Sequence, residues 1–268
     1  MLGWHLNFRV RDNRVIATTV AARRRVARSC LTIGERYGLV AFGFVERHGH
    51  SVVVCDRQAA GDAAQAILSS ITQALGLPVG FAEAWYEPIG SQHKLREVFL
   101  YVLDQNARHG SLADPLRDAT ALPDLFGLRQ LGTGLVPRVR RLLPEITREA
   151  LVPLLGVDLR EAFAPEHLAD SAAAAVGKVS LRGQSCAQQD ARLAVAHAAH
   201  GKLAPGAIAE ILGCDASTLR RMRDRAPKAD LVAAIRRGMG FRSALGDRLR
   251  VEQQIPESRR PRRRRREA

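Results

Sequence analysis

Trp4, Leu6, Phe8 and Val10 alternate with His5, Asn7, Arg9 and Arg11. Successive side chains of a strand point to opposite faces, so this stretch predicts a strand with one buried face and one polar, basic face. The elements after it have to cover the first face and leave the second available. Thr19 to Tyr37 reads as a helix, with Val20, Val26, Cys30, Ile33 and Tyr37 at helical spacing, Arg23, Arg24, Arg25 and Arg28 mostly outward, and Gly38 as its stop. Leu39 to Val45 and Ser51 to Cys55 are β-rich runs joined through Glu46 and Arg47 as a hairpin. A second helix is expected at Asp62 to Leu75, a fourth strand near Val79 to Glu87, and a third helix from Gln92 to Arg108. The order β-α-β-β-α-β-α predicts an α+β fold on the ferredoxin-like plan, with two helices on one face of a sheet and the other face free for a ligand.

Charge narrows the ligand. The 268 residues hold 41 Lys plus Arg against 27 Asp plus Glu, a net charge of +14, which favours a polyanion whose phosphates release counterions on binding. Nucleic acid is the first candidate. Glu257 to Ala268 carries seven Arg and two Glu, too few to account for the whole excess. Cys30, Cys55, Cys186 and Cys214 are scattered without a C-x-x-C pair, so neither a disulfide framework nor a zinc ribbon is indicated, and a reducing cytosol fits. Gly38 to Val45, the longest uncharged apolar run near the N-terminus, is far too short for a bilayer span, so no secretion signal or membrane anchor is expected.

Three features of the first segment carry chemistry together: His48-Gly49-His50 on the third strand, Tyr101 on the third helix, and Gln105 four residues on. Residues two apart on a strand share a face, so His48 and His50 can offer two imidazoles to one divalent cation. Residues four apart on a helix also share a face, which sets the Tyr101 phenol beside the Gln105 amide oxygen as a third ligand. A free phenol titrates near about 10 and is a poor nucleophile at neutral pH without nearby positive charge. Lys94, Glu97 and Arg108 fall on or near the side of Tyr101, the two bases being suited to a phosphate backbone. His5, on the polar face of strand one, either lies near this site or is an ordinary solvated or backbone-bonded histidine.

These residues resemble the single-tyrosine HUH transposases, and among them the REP-associated tyrosine transposases of bacteria. The likeness runs from Trp4 to Arg129 and rests on WHLNFRVRD, GLVAFGFVERHGHSVVV, REVFLYVLDQNARHG and the continuation DPLRDATALPDLFGLR. It implies that His48, His50 and Gln105 hold Mg²⁺ or Mn²⁺, and that Tyr101 attacks a phosphate of single-stranded or hairpin DNA to form a 5′-phosphotyrosine. It further implies strand cleavage and rejoining in DNA transposition, by a protein that works as a homodimer in the bacterial cytoplasm at the nucleoid. The residue between the two histidines is usually bulky and apolar in that family; in this chain it is Gly49.

A second DNA signal lies at Ala204 to Arg223, APGAIAEILGCDASTLRRMR. Pro205 suits a first helical turn, Ile208, Ile211 and Leu212 form an inward stripe, Gly213 permits a tight bend, and Asp215 or Ser217 can cap a second helix. Thr218, Arg220, Arg221 and Arg223 then load that helix with groups for base edges or phosphates of duplex DNA, a helix-turn-helix reading. Further helices are expected at Ala191 to His200 and Ala229 to Met239. The organisation expected is therefore a nuclease-like domain over 1–112, with Arg9 and Arg11 on its basic face. A helical connector over 113–175, a helix-turn-helix region over 176–247 and a disordered Arg-rich tail over 248–268 follow it. Two rivals use the same elements. One is a catalytically inactive, domesticated DNA-binding regulator; the other, an RNA-binding sheet, needs stacking aromatics that a 5% aromatic chain hardly supplies.

Overall fold

The computed structural model describes residues 1–45, 47–105, 118–157 and 160–254, with side chains to 246. Strands β1 (Gly3–Arg9), β2 (Leu39–Val45), β3 (His48–Val53) and β4 (Trp85–Ile89) form one four-stranded antiparallel sheet in the order β2-β3-β1-β4. Helix α1 (Val20–Gly34) lies between β1 and β2, α2 (Arg57–Leu75) between β3 and β4, and α3 (Gln92–Leu103) after β4. Leu6, Phe8 and Val10 are buried, as their alternation requires, and α2 sits on that side, with Arg57 over the ring of Trp4. The polar face is only partly open: α3 crosses it and buries His5, while Arg9 at the strand's end stays exposed. With layers on both sides, β2 is buried throughout, which is why it reads as an unbroken apolar run.

Some boundaries differ from the sequence-based expectation for local reasons. Helix α2 begins at Arg57 because the Asp56 carboxylate accepts the amide N–H of Ala59 at 2.8 Å and caps it. Strand β4 starts later than expected. Phe81 makes only an isolated bridge to Val10, and pairing with β1 begins at Trp85, an edge position that tolerates Pro88. Helix α3 ends at Leu103, so Gln105 lies beyond it. Arg24 is the plainest departure from an outward row of arginines. It is 1% exposed and donates to Asp118 at 3.3 Å, to Asp170 at 2.7 Å and to the carbonyl of Lys178 at 3.0 Å.

The open edge of β2 is covered by a passing segment. Phe44 N–H donates to the Ala119 carbonyl and Ala121 N–H to the Phe42 carbonyl, each at 3.0 Å. Arg129 fixes that segment from inside, with donations to the carbonyls of Asp118 and Thr120 and a buried ion pair to Asp124. Beyond it come α4 (Leu122–Leu125), α5 (Leu135–Leu142), α6 (Arg148–Leu155), α7 (Leu168–Ala175), α8 (Cys186–Ala198), α9 (Pro205–Leu212), α10 (Ala216–Arg223) and α11 (Ala229–Gln254). Residues through Leu155 share one buried cluster with the sheet, and Ala164 to Met239 form a second. Asp170 ties the two together, since it also takes Arg242 at 2.9 Å. Its burial opposes its charge, but Arg242 and Arg24 outweigh that and hold its carboxyl below the usual range. Helix α11 was expected to stop near Met239 and instead continues to Gln254, with no proline before Pro256 to break it. The arginines 259–266 lie outside the described residues.

Gly43 is the point at which α3 meets the sheet. A Cβ at this position would lie 2.5 Å from the carbonyl oxygen of Val102, a distance that no side chain permits. Gly43→Ala is therefore expected to lower stability by about 1–3 kcal/mol, read as a reduced urea midpoint, because the helix has to lift away from the strand.

Candidate active site

Register places the site. Asn7 pairs with His50 and Arg9 with His48, while His50 pairs with Gly43 across the hairpin, so both histidines stand on the face that α3 crosses. With the Val102 carbonyl seated over Gly43, the preceding residue, Tyr101, comes down beside them. Its ring centroid is 5.4 Å from that of His50 and 5.9 Å from that of His5, edge-on to both. His48 and His50 are 5.3 Å apart with perpendicular rings. Gln105, fully buried, donates its side-chain N–H to the Tyr101 carbonyl at 3.0 Å, capping one of the carbonyls that a helix end leaves open. Among the described residues its Oε1 has no hydrogen-bond partner. The structure thus brings Tyr101, His48 and His50 onto one face, and Gln105 is tied to Tyr101 from the chain after the helix and not from its face.

Gly49 points the other way, between Phe44 and Phe8, its neighbours across the strands. A Cβ on it would lie 2.3 Å from the Phe44 ring, and that ring stacks on Phe8 at 5.9 Å. Adjacent strands thus supply the apolar bulk that residue 49 lacks, a packing known to compensate glycine in sheets.

Behind His50 runs a chain of hydrogen bonds that no local sequence pattern announces. Glu87 on β4 accepts from His5 Nδ1 at 3.2 Å and from Lys94 Nζ at 3.2 Å, while His5 Nε2 meets His50 Nδ1 at 3.0 Å. Hydrogen bonds from His5 and Lys94 push the Glu87 carboxyl below its usual range, so it is an ionised acceptor. His5 Nδ1 must therefore carry a proton. Burial holds the His5 imidazole below its ordinary value despite Glu87, so the ring is neutral and its Nε2 accepts. His50 then has to donate through Nδ1, which in a neutral imidazole is the tautomer with its lone pair on Nε2, the form that binds a cation. The only sequence hint was His5 on the polar face; Glu87 lies 82 residues from it and is brought in by register.

The remaining candidates divide. Lys94 is engaged with Glu87, and Glu97 turns away to His93 at 3.2 Å. Arg9 is exposed beside His48 and bonded to Asn13, and Arg11 donates to the Phe81 carbonyl at 2.9 Å past the end of β1. Arg108 lies outside the described residues. Among the described residues no three His, Cys, Asp or Glu side chains gather to hold a metal, and Gln105 is the oxygen-bearing side chain that the sequence offers beside His48 and His50. The donor set fits such an ion: a lone pair on His50 Nε2, a neighbouring imidazole on the same face, and a buried acceptor with no other partner.

In the second region α9 and α10 meet at Gly213, whose φ of +61° makes the bend. Asp215 resolves the capping choice. Its carboxylate accepts the Thr218 amide at 2.7 Å, the Ser217 hydroxyl at 2.7 Å and the Thr218 hydroxyl at 3.0 Å. The Ser217 and Thr218 bonds push its pKa far down. Thr218 is therefore part of the cap, Arg223 is half-buried, and Arg220 and Arg221 project into solvent. Leu219 turns inward to the second buried cluster, which leaves the arginine side of α10 outward.

The tautomer chain has a direct readout. Long-range ¹H–¹⁵N spectra of the metal-free protein are expected to show His5 and His50 both protonated at Nδ1. In Glu87→Ala, loss of the anchoring acceptor should leave both rings as tautomer mixtures.

No family model matches the chain, and no curated protein matches it. Among solved structures it is similar to one described as "Structure of the REP associates tyrosine transposase bound to a REP hairpin", at 18% identity and a TM-score of 0.35, over 41% of this chain and 68% of that one.

Proposed function

We propose that the chain is a DNA strand nuclease and transferase of the single-tyrosine HUH type, on a ferredoxin-like sheet. One observation carries this reading: Tyr101 is set edge-on to His50 and His5 by a helix that the Gly43 contact fixes on the sheet. In the reaction the Tyr101 oxygen bonds to a phosphorus of single-stranded or hairpin DNA and the P–O3′ bond breaks. A 5′-phosphotyrosine remains, together with a 3′ hydroxyl that takes up a proton. Attack by a 3′ hydroxyl on the tyrosyl phosphate reverses the step, so strands rejoin without a nucleotide cofactor. His48, His50 and the Gln105 amide oxygen are the residues that hold Mg²⁺ or Mn²⁺, whose chemistry there is Lewis-acid polarisation of the phosphate. Glu87 and His5 keep His50 in its binding tautomer, and Arg9 offers a cation to the strand as it leaves the site.

The outward arginines of α10 support a separate hold on duplex DNA. Arg220→Ala with Arg221→Ala is expected to weaken duplex binding and to reduce the slope of log affinity against log salt by about two, while Tyr101-dependent chemistry on short single strands is unchanged. Filter binding over a salt series measures the first and a cleavage gel the second.

Covalent capture tests the central claim. End-labelled hairpin-bearing DNA with Mn²⁺ or Mg²⁺ should give a protein-sized labelled band on a denaturing gel, absent with EDTA and absent in Tyr101→Phe. Absence of an adduct across a varied panel of hairpins, with binding retained, would make the chain a DNA-binding regulator built on the same elements.

A further inference from the structure

Trp85 opens β4 at the edge of the sheet and is 73% exposed. Pairing runs from Trp85 to Asn7 and from Asn7 to His50, so these residues form one row on the face that carries His5 and Tyr101. Strands in a sheet lie about 4.8 Å apart, which sets the backbone under Trp85 roughly 10 Å from that of His50. A strand held at Tyr101 and leaving over Asn7 meets the indole within its next few nucleotides.

The surroundings suit a base. The backbone below Trp85 is held by its pairing with Asn7, and the next residue, Tyr86, is clamped on the opposite face by Arg57 at 3.9 Å. Trp85 itself stacks on no other ring among the described residues. Glu87, the acidic neighbour on this face, is paired with the Lys94 ammonium at 3.2 Å and hydrogen-bonded by His5, which offsets its repulsion of a phosphodiester. The chain has two tryptophans, and the other, Trp4, is half-buried against Arg57 on the far side of the sheet.

We propose that Trp85 is a stacking platform for an unpaired nucleobase of the DNA strand that passes Tyr101. This rests on the reading of that face as the strand-binding face, and it adds that recognition requires a single strand with bases present. Every base has a π-face, so the contact favours unpaired over paired DNA without favouring a sequence.

The test avoids catalysis: full-length Tyr101→Phe protein in EDTA, titrated with a labelled oligothymidylate and followed by anisotropy. Trp85→Ala is expected to weaken binding about tenfold, and Trp85→Phe to retain most of it. The salt slope should be unchanged by Trp85→Ala, because no cation is lost, whereas Arg9→Ala should lower it. With Trp4→Phe as background, folding being checked by circular dichroism, the emission of Trp85 should be quenched by the oligothymidylate but not by an abasic strand or a duplex. An unchanged affinity in Trp85→Ala would overturn the proposal, as would equal binding of abasic and base-bearing strands. So would sedimentation showing that Trp85→Ala splits a dimer while DNA affinity holds, which would assign the indole to contact between copies. Failure of covalent capture in the active protein would sink the nuclease reading and leave these binding results standing.

Discussion

The close approach of the Val102 carbonyl to Gly43 is the contact on which the candidate site depends. Helix α3 has apolar residues for its own packing, including Leu95, Val98, Phe99 and Val102, and these alone would let it settle on the sheet at several heights. A glycine at one position of β2 admits backbone against backbone at a single point, and tight packing allows little compromise around it. Because Tyr101 precedes Val102, its distance from the two histidines is set by that point. Gln105 adds a second restraint by capping the carbonyl of Tyr101 after the helix has ended.

A different kind of restraint holds the later helices. Arg24, Asp170 and Arg242 form a charged chain from α1 through α7 to α11, with Asp118 beside it. Arg24 and Arg242 are buried while Asp170 is half-exposed. Pairs of this sort add little net stability compared with apolar packing but leave a buried guanidinium uncompensated if the partner is lost, and so fix geometry. The arginine-bearing side of α10 is therefore presented in a defined relation to the sheet, which matters for a protein that would grip duplex and single strand with different parts.

Much of this was legible in the amino-acid order, and the limit is physical. The alternation in β1, the unbroken apolar run of β2 and the glycine bend before α10 are local patterns, and local patterns survive in a sequence. The pair His48 and His50 was visible because two residues apart on a strand is a local relation, and so was Tyr101 on a helix. Glu87 was not visible as a partner of His5, because their meeting depends on the register of β4, and β4 itself begins six residues later than its apolar content suggested. Arg24 looked like a surface residue for the same reason: its partner Asp170 is 146 positions away. Thr218 looked like a DNA contact and is a cap, since Asp215 claims both its amide and its hydroxyl.

The exchange between Gly49 and Phe44 bears on how such a site varies among related chains. The space beneath the two histidines is filled from strand β2 and not from the residue between them, so positions 44 and 49 share one volume. A larger side chain at 49 has room only if 44 becomes smaller, and the reverse holds equally. In descendants of this chain the two positions should therefore change together, and a pattern that reads the histidine pair one strand at a time will see an irregularity where the folded sheet has none.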